Sequence, residues 1–423
     1  GSKADNYAIT FEVDNNAFEI EKARLTATGT KVYDGSILFA GEAMTIVGVN
    51  GEAFAGTGNA TMGTKNVQAS QALASLEGFA VSQTGNGLLS NYEDLALSDT
   101  AMTVTVRPVM LSATQTTKTY DGTTLYETTT ADLDRLSESL VGGDSVGGAD
   151  LVFDSKDVSR DGNGNVLSNR VVTLSNVQID DGNSGSNYEI SVMDATDGRI
   201  NPAPLTVRAV NDAKFVTQSD PNGYLGVVYT GFVGGETEVT AGLKTGQLVR
   251  SNAGQDAAGN YTDVLVAGTE WDAHNYEVTF EAGDFTIVPA DTLLVRAPAL
   301  ATTYGEALPE FTTVTAQYLD STDNQIKTLA VNYDTNTNFY STTDGAGSNA
   351  TFGFAIDNAP LSSSGFAQAG GYNVAPDTNT TFTGNNFRDL VMVGALTVAP
   401  KALNNNLGIN EVSKVYDGNR SIT

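Results

Sequence analysis

The sequence predicts a mainly β chain with short helices, built as a tandem array of four modules that form an elongated rod. Three observations carry this expectation. First, the stretch from Asn275-Tyr276 to Pro289 alternates apolar and polar residues: Tyr276, Val278 and Phe280, then a Gly283-Asp284 turn, then Phe285 and Ile287. Such alternation reads as two β-strands, taken here as a hairpin closed by a proline. Second, variants recur from Asn6-Tyr7, Asn91-Tyr92, Asn187-Tyr188 and, with an insertion, Tyr372. Their last apolar residues (Ile20, Val106, Ile200, Ile287 and Val398) fall 86, 94, 87 and 111 residues apart, the signature of an array. Third, Lys-x-Tyr-Asp-Gly occurs at 31–35, 118–122 and 414–418. Asp-Gly between strand-like residues is a tight-turn signal, because glycine takes positive φ freely and aspartate bonds the amides ahead of it.

Taken in order, residues 1–21 read as the closing hairpin of a preceding module, and modules follow at 22–107, 108–201, 202–289 and 290–400. Residues 401–423 begin another. In the first, Leu25 and Ala27 alternate toward the Tyr33 turn, and the alanines of 68–76 are assigned to a strand because the matching Arg170–Val177 is rich in β-branched residues. In the second, Leu133, Leu136 and Leu140 share a face, which predicts a helix over Ala131–Val141 stopped by Gly142-Gly143. One short helix on a mixed sheet is what a β-grasp-like α+β module requires. Thr64–Val67 and Ser155–Val158 hold matching places. The third replaces the Tyr-Asp-Gly turn with Asp220-Pro-Asn-Gly223, and the fourth with Tyr304-Gly305. Polar insertions around 334–348 and 378–386 of the fourth are expected to be surface loops. Pro108, Pro202, Pro289 and Pro400 stand at the joints, where a fixed φ and a missing donor stop strands from running on.

Charge and composition exclude several functions. Lys and Arg number 22 against 50 Asp and Glu, a net charge of −28, which argues against nucleic acid or an anionic membrane as partner. Cysteine is absent, so thiolate chemistry and disulfides are excluded; His274 is the sole histidine, so a zinc site of several imidazoles is excluded too. No apolar run approaches bilayer-spanning length.

The ordered combination of Lys-x-Tyr-Asp-Gly, Tyr304-Gly305 with Pro309, Gly234-Gly235-Glu236-Thr237, Ala258-Gly-Asn-Tyr261 and the Asn-Tyr…Pro-Ala closings resembles the YDG and MBG repeat domains of large bacterial adhesins. These include filamentous-haemagglutinin-like and biofilm-matrix proteins. The resemblance implies YDG-type modules at 22–107 and 108–201 and MBG-type modules at 202–289 and 290–400. It also implies β-grasp-like folds, a place outside the cell or on the bacterial surface, and no catalytic residues.

Candidate sites each have a plainer reading. The tyrosines and carboxylates of the Tyr-Asp-Gly turns are either ligand-touching or architectural, with Tyr packed at a sheet end and Asp capping the backbone. Asp161, Asn163 and Asn165 offer oxygens at positions 1, 3 and 5, as a calcium loop requires, but Val172 stands where an EF-hand places glutamate; a glycine-rich hairpin turn is the competing reading. Asp334, Asn336 and Asn338 repeat the pattern more weakly. Trp271-Asp272-Ala-His274-Asn275 is either a sugar-stacking spot or a loop whose indole covers a module edge. The expected function is a non-enzymatic stalk or spacer that projects an adhesive region or crosslinks biofilm matrix. Its partners would be neighbouring repeats, with matrix polysaccharide or a surface glycan beyond them. The alternative is a glycan- or protein-binding module, the fourth above all. At the ends of the sequence, unpaired strand edges are expected to pack on the adjacent module or to pair head-to-tail between molecules.

Overall fold

A computed structural model describes residues 10, 12 and 19–401. The hairpin expected at 1–21 lies almost wholly outside the described residues, as does the module start expected at 401–423, with its Tyr416 turn. The chain is mainly β, with 48% in strands and one α-helix among the described residues, so sheets carry the fold. It divides into two compact units, one of residues 1–118 and 123–200, the other of 119–122 and 201–423.

In the first unit the strand Thr26–Val32 lies inside a mixed sheet, antiparallel to Met44–Val47 and parallel to Thr100–Thr105. Alternation decides which face it buries: Leu25 and Ala27 point into a core with Phe39, Ile46, Met62 and Met102, while Thr26 and Thr28 face out. Gly29 is required by packing, since a Cβ there would sit 2.7 Å from the Phe39 ring. Gln68–Gln71 is a strand, as the β-branched counterpart indicates. Further on, Arg107–Ser112 runs parallel to Tyr188–Met193, and a five-stranded sheet is ordered Leu125–Glu127, Ser145–Phe153, Arg170–Asp180, Ala195–Asn201, Thr117–Thr119. The helix is Thr130–Ser137. It starts at a capping box in which Thr129 and Asp132 satisfy each other's backbone N–H, and it buries Leu136. It ends before Leu140, earlier than the leucine spacing predicts.

In the second unit two parallel pairings follow one another twice. Ala203–Ala209 pairs with Tyr276–Glu281, and Asp212–Phe215 with Gly283–Val288; then Leu293–Arg296 pairs with Leu390–Val393, and Leu300–Thr303 with Ala395–Ala399. The expected hairpin at Tyr276 is therefore corrected. Tyr276–Glu281 and Gly283–Val288 belong to different sheets, and each pairs with half of a similarly kinked opening strand. Period-2 alternation cannot tell a turn from a kink, and a single residue between the strands is too short for a hairpin loop.

Two backbone hydrogen bonds mark this pairing four times along the chain. Ala23, Arg107, Ala203 and Leu293 donate N–H to the carbonyl oxygens of Asn91, Asn187, Asn275 and Asp389, at 3.0, 2.9, 3.0 and 2.9 Å. Tyr33, Tyr120, Val216 and Tyr304 donate to Thr105, Asn201, Val288 and Ala399, at 2.9, 2.8, 3.1 and 2.8 Å. The fourth counterpart of Asn-Tyr is thus Asp389-Leu390. Tyr372, where the sequence placed it, sits instead on Gly370–Pro376, antiparallel to Ala395–Ala399. The polar insertions also differ from expectation. They supply two strands as well as turns of a four-stranded sheet, Val331–Asp334, Phe339–Thr343, Asn349–Phe352 and Thr381–Thr383, whose Tyr340, Ala350 and Phe352 are buried with Leu293 and Val295.

Candidate functional site

The Lys-x-Tyr-Asp-Gly turn is built by its lysine. Lys31 Nζ donates to Asp34 Oδ1 at 2.8 Å and to the carbonyls of Ser36 and Leu38 at 2.8 and 2.7 Å, while Asp34 Oδ1 accepts the Ser36 N–H at 2.9 Å. Lys118 Nζ repeats this on the carbonyls of Thr123 and Leu125, at 3.0 and 2.7 Å. Gly35 and Gly122, with φ of 74° and 80°, let the chain reverse. The clamped turn carries a tyrosine that is buried: Tyr33 is 0% exposed and Tyr120 2%.

What buries it is a second recurring element, Val-x-Gly followed by an acid: Val49–Glu52, Val141–Asp144 and Val233–Glu236. Both middle residues have positive φ in every case (Asn50 56°, Gly51 79°; Gly142 67°, Gly143 79°; Gly234 59°, Gly235 76°), as a type I′ turn requires. The valine N–H donates to the hydroxyl of the Asn-Tyr tyrosine: Val49 to Tyr92 at 2.9 Å, Val141 to Tyr188 at 3.0 Å and Val233 to Tyr276 at 3.1 Å. Each such hydroxyl then donates to the acid that ends the turn.

Within the first unit Asp144 Oδ2 accepts both Tyr33 OH, at 2.7 Å, and Tyr188 OH, at 2.8 Å, while Oδ1 accepts Lys65 Nζ at 2.6 Å. The two rings meet edge to face at 5.3 Å. Asn187 is fully buried beside them; its Oδ1 accepts the Val67 N–H at 2.9 Å and its Nδ2 donates to Asn66 Oδ1 at 3.1 Å. Gly35 and Gly142 touch so closely that a Cβ on either would lie 2.4 to 2.5 Å from the other's Cα. Within the second unit Glu236 Oε1 accepts Tyr120 OH at 2.7 Å and Oε2 accepts Tyr276 OH at 2.6 Å, with the rings at 5.5 Å. We call each arrangement a clasp. Burial, and then the nearby carboxylate, pushes the Tyr188 and Tyr276 hydroxyls up to about 12, and raises Tyr33 and Tyr120 as well. The hydroxyls therefore stay protonated donors at neutral pH.

The plainer reading of the turn holds for its aspartate, which caps backbone. Sequence reasoning placed the tyrosines but missed their acceptors, Asp144 and Glu236. A signal exists: the acid lies 44 residues before Tyr188 and 40 before both Tyr276 and Tyr92. The third copy has Val216 at the turn-tyrosine position. There its longer Asp220 turn is held by charge, with Asp220 accepting from Lys214 and from Arg250 at 2.7 to 3.0 Å.

The remaining candidate residues lie apart. Asp161 Oδ1 accepts the N–H groups of Asn163 and Asn165, both at 2.8 Å, and Oδ2 accepts Asn165 Nδ2 at 2.9 Å; these bonds hold the carboxyl below its usual range. Asp334 likewise bonds Asn336 and Thr337 in the turn before Phe339. Among the described residues no group of three or more His, Cys, Asp or Glu is placed to hold a metal ion. Trp271 packs near Tyr229 and Phe280 at 6.2 and 6.3 Å. In the fourth copy a cleft of about 530 Å³ is lined by Gly305, Leu308, Leu361 and Phe366, three of them large apolar side chains that are more than 40% exposed.

These contacts belong to a mainly β chain in which one pairing of strands recurs. Residues 205–286 match the family model described as MBG domain (YGX type), the kind of repeat the motifs resemble, and no catalytic family is indicated. No curated protein matches the sequence. Among solved structures the Bacillus anthracis TIE protein is 9% identical over 89% of this chain and 68% of that one, at a TM-score of 0.14, too slight a likeness to carry an argument. Among the described residues no helix is long and apolar enough to cross a membrane.

Proposed function

We propose that this chain is a stalk segment of a bacterial extracellular adhesin, made of four β-grasp-like repeats in line and serving to hold an adhesive region at a distance or to crosslink matrix. The observation that carries the reading is the clasp. Tyr33, on the first repeat's turn, reaches the Asp144 and Tyr188 of the second, and Tyr120 takes part in the same arrangement with Glu236 and Tyr276. Hydroxyl bonds to a charged acceptor are among the stronger neutral-to-ionic contacts, and they fix direction as well as distance. A joint made this way resists bending, which is what a spacer needs; the third and fourth repeats are joined differently, through a shared apolar cluster of Phe215, Val288, Leu294, Leu319 and Val393. Nearest-neighbour coupling of this kind is the usual source of stiffness in repeat proteins.

A second reading is favoured by the apolar cleft of the fourth repeat and its added sheet: this repeat is itself a binding domain for a glycan or a protein. Polysaccharide pull-down and glycan arrays with the full chain and with residues 290–400 separate the two. Silence from both supports the spacer, and binding retained by 290–400 but lost on Phe366→Ala supports the second.

A further inference from the structure

One strand edge in the first unit is neither covered nor guarded by charge. Tyr188–Met193 runs parallel to Arg107–Ser112 and, among the described residues, pairs with no other strand. Asn187 and Met193 accept the N–H groups of Arg107 and Ala113 at 2.9 and 2.8 Å, so the alternate residues Tyr188, Ile190 and Val192 turn their N–H and C=O away from that partner. Tyr188 donates its N–H to the Gly185 carbonyl at 3.1 Å, which leaves Ile190 and Val192 with outward donors. The side chains around this edge are apolar and open to solvent: Ile190 is 38% exposed, Val192 47%, Met193 50% and Met110, on the adjoining strand, 59%. A bare apolar edge is a template for another strand.

We propose that this edge pairs with the same edge of a second copy of this chain, antiparallel about a two-fold axis at Ser191, so that one sheet runs across a dimer. In that register Ile190 of each copy lies opposite Val192 of the other, and the two residues exchange their outward backbone hydrogen bonds. β-Branched side chains then meet on one face, while Glu189 meets Met193 on the other, so no like charges are opposed. The counterparts of this edge are closed to the same pairing. Tyr276–Glu281 of the third repeat is also an edge strand, but symmetric pairing about Thr279 would set Glu277 against Glu281, and its Val278 and Phe280 are half-buried. In Leu390–Val393 of the fourth, Met392 and Val393 are buried. A second copy therefore fits the Tyr188–Met193 edge in a way it does not fit the others. The inference is independent of the spacer reading. Net charge of −28 on each copy opposes the dimer at low salt, so association strengthens as salt screens it.

The test is sedimentation velocity of the full chain from about 1 to 500 µM in about 0.15 M salt, together with Met193→Glu and with Met193→Glu combined with Glu189→Lys. Both side chains are exposed, and an unchanged melting temperature certifies folding. The expected sedimentation coefficient climbs with concentration and levels off at the dimer, because a contact between identical patches closes on itself. Met193→Glu opposes two glutamates and should need about tenfold higher concentration for the same association, and the added Glu189→Lys, which sets lysine against glutamate, should restore it. The proposal is overturned by a chain that stays monomeric or grows past the dimer, by Met193→Glu associating as the parent does, or by a double variant no better than the single one.

Discussion

Replacing Asp144 tests whether the clasp holds its unit together. The carboxylate is 8% exposed and accepts three donors, two from tyrosine hydroxyls and one from an ammonium. Lys65 keeps 29% of its side chain exposed, so it rehydrates when the carboxylate is removed; the tyrosines do not. Each hydrogen bond to a charged group contributes about 1.5–3 kcal/mol. Water entering the vacated space recovers part of the two tyrosine bonds, so Asp144→Ala should cost about 3–5 kcal/mol, the range for removing one partner of a buried charged pair. For a unit of this size that is a fall in melting temperature of roughly 6–20 °C. Asp144→Asn, which keeps one acceptor but presents an amide to Lys65, should cost about half as much. Scanning calorimetry resolves the transition of the first unit, and a double-mutant cycle with Tyr33→Phe isolates the pair. A coupling of about 1 kcal/mol or more is expected. Additive effects, or an Asp144→Ala melting point within about 2 °C of the parent, would refute the assignment of the joint to this carboxylate.

Other expectations follow from the same contacts. Because the Tyr188 and Tyr276 hydroxyls are raised from 10.0 to about 12, the unfolded chain loses these protons first. Their stabilisation, about 3 kcal/mol each at most, is full below pH 10 and disappears as pH rises through 12. Absorbance at 295 nm should therefore show late-titrating tyrosines that ionise together with unfolding, and uniform titration near pH 10 in a folded chain would contradict this. Gly142→Ala should cost about 2–4 kcal/mol through the clash with Gly35 and the positive φ, whereas Gly122→Ala, whose Cβ would meet nothing within 4 Å, should cost about 1 kcal/mol; urea melts compare them. For the 161–165 loop, whose carboxylate oxygens already bond the loop's own donors, chelator should leave the melting temperature unchanged; a calcium-dependent rise abolished by Asp161→Ala would assign a cation there.

Much of this architecture could be read from the residues because repetition amplifies weak local signals. One Tyr-Asp-Gly means little, but Lys31 and Lys118, each two residues before the tyrosine, mark a turn clamped by an ammonium. The shared face of Leu133, Leu136 and Leu140 located the helix, while its capping box of Thr129 and Asp132, which sets the start, went unread. Failures came where pairing is decided across the chain. Alternation around Tyr276 is the same for a hairpin and for a kinked strand with a parallel partner 73 residues earlier. Tyr372 was read as the start of the fourth copy, whereas the counterpart in the structure, Asp389-Leu390, has lost both side chains of the motif and keeps its backbone bond to Leu293. The acceptors escaped notice because Asp144 and Glu236 look like any acid after two glycines; what distinguishes them is closeness to the tyrosine in space and a similar interval of 40 to 44 residues in sequence.

Small-angle X-ray scattering of the chain addresses the central claim most directly. Four repeats in line, each roughly 30 Å or a little more along its strands, give a maximum dimension on the order of 120–150 Å. A single globule of this length has a radius of gyration of about 22 Å and would be about half as long. The extended value, retained from low to physiological salt, is the result expected here, and a maximum dimension near that of the globule would contradict it.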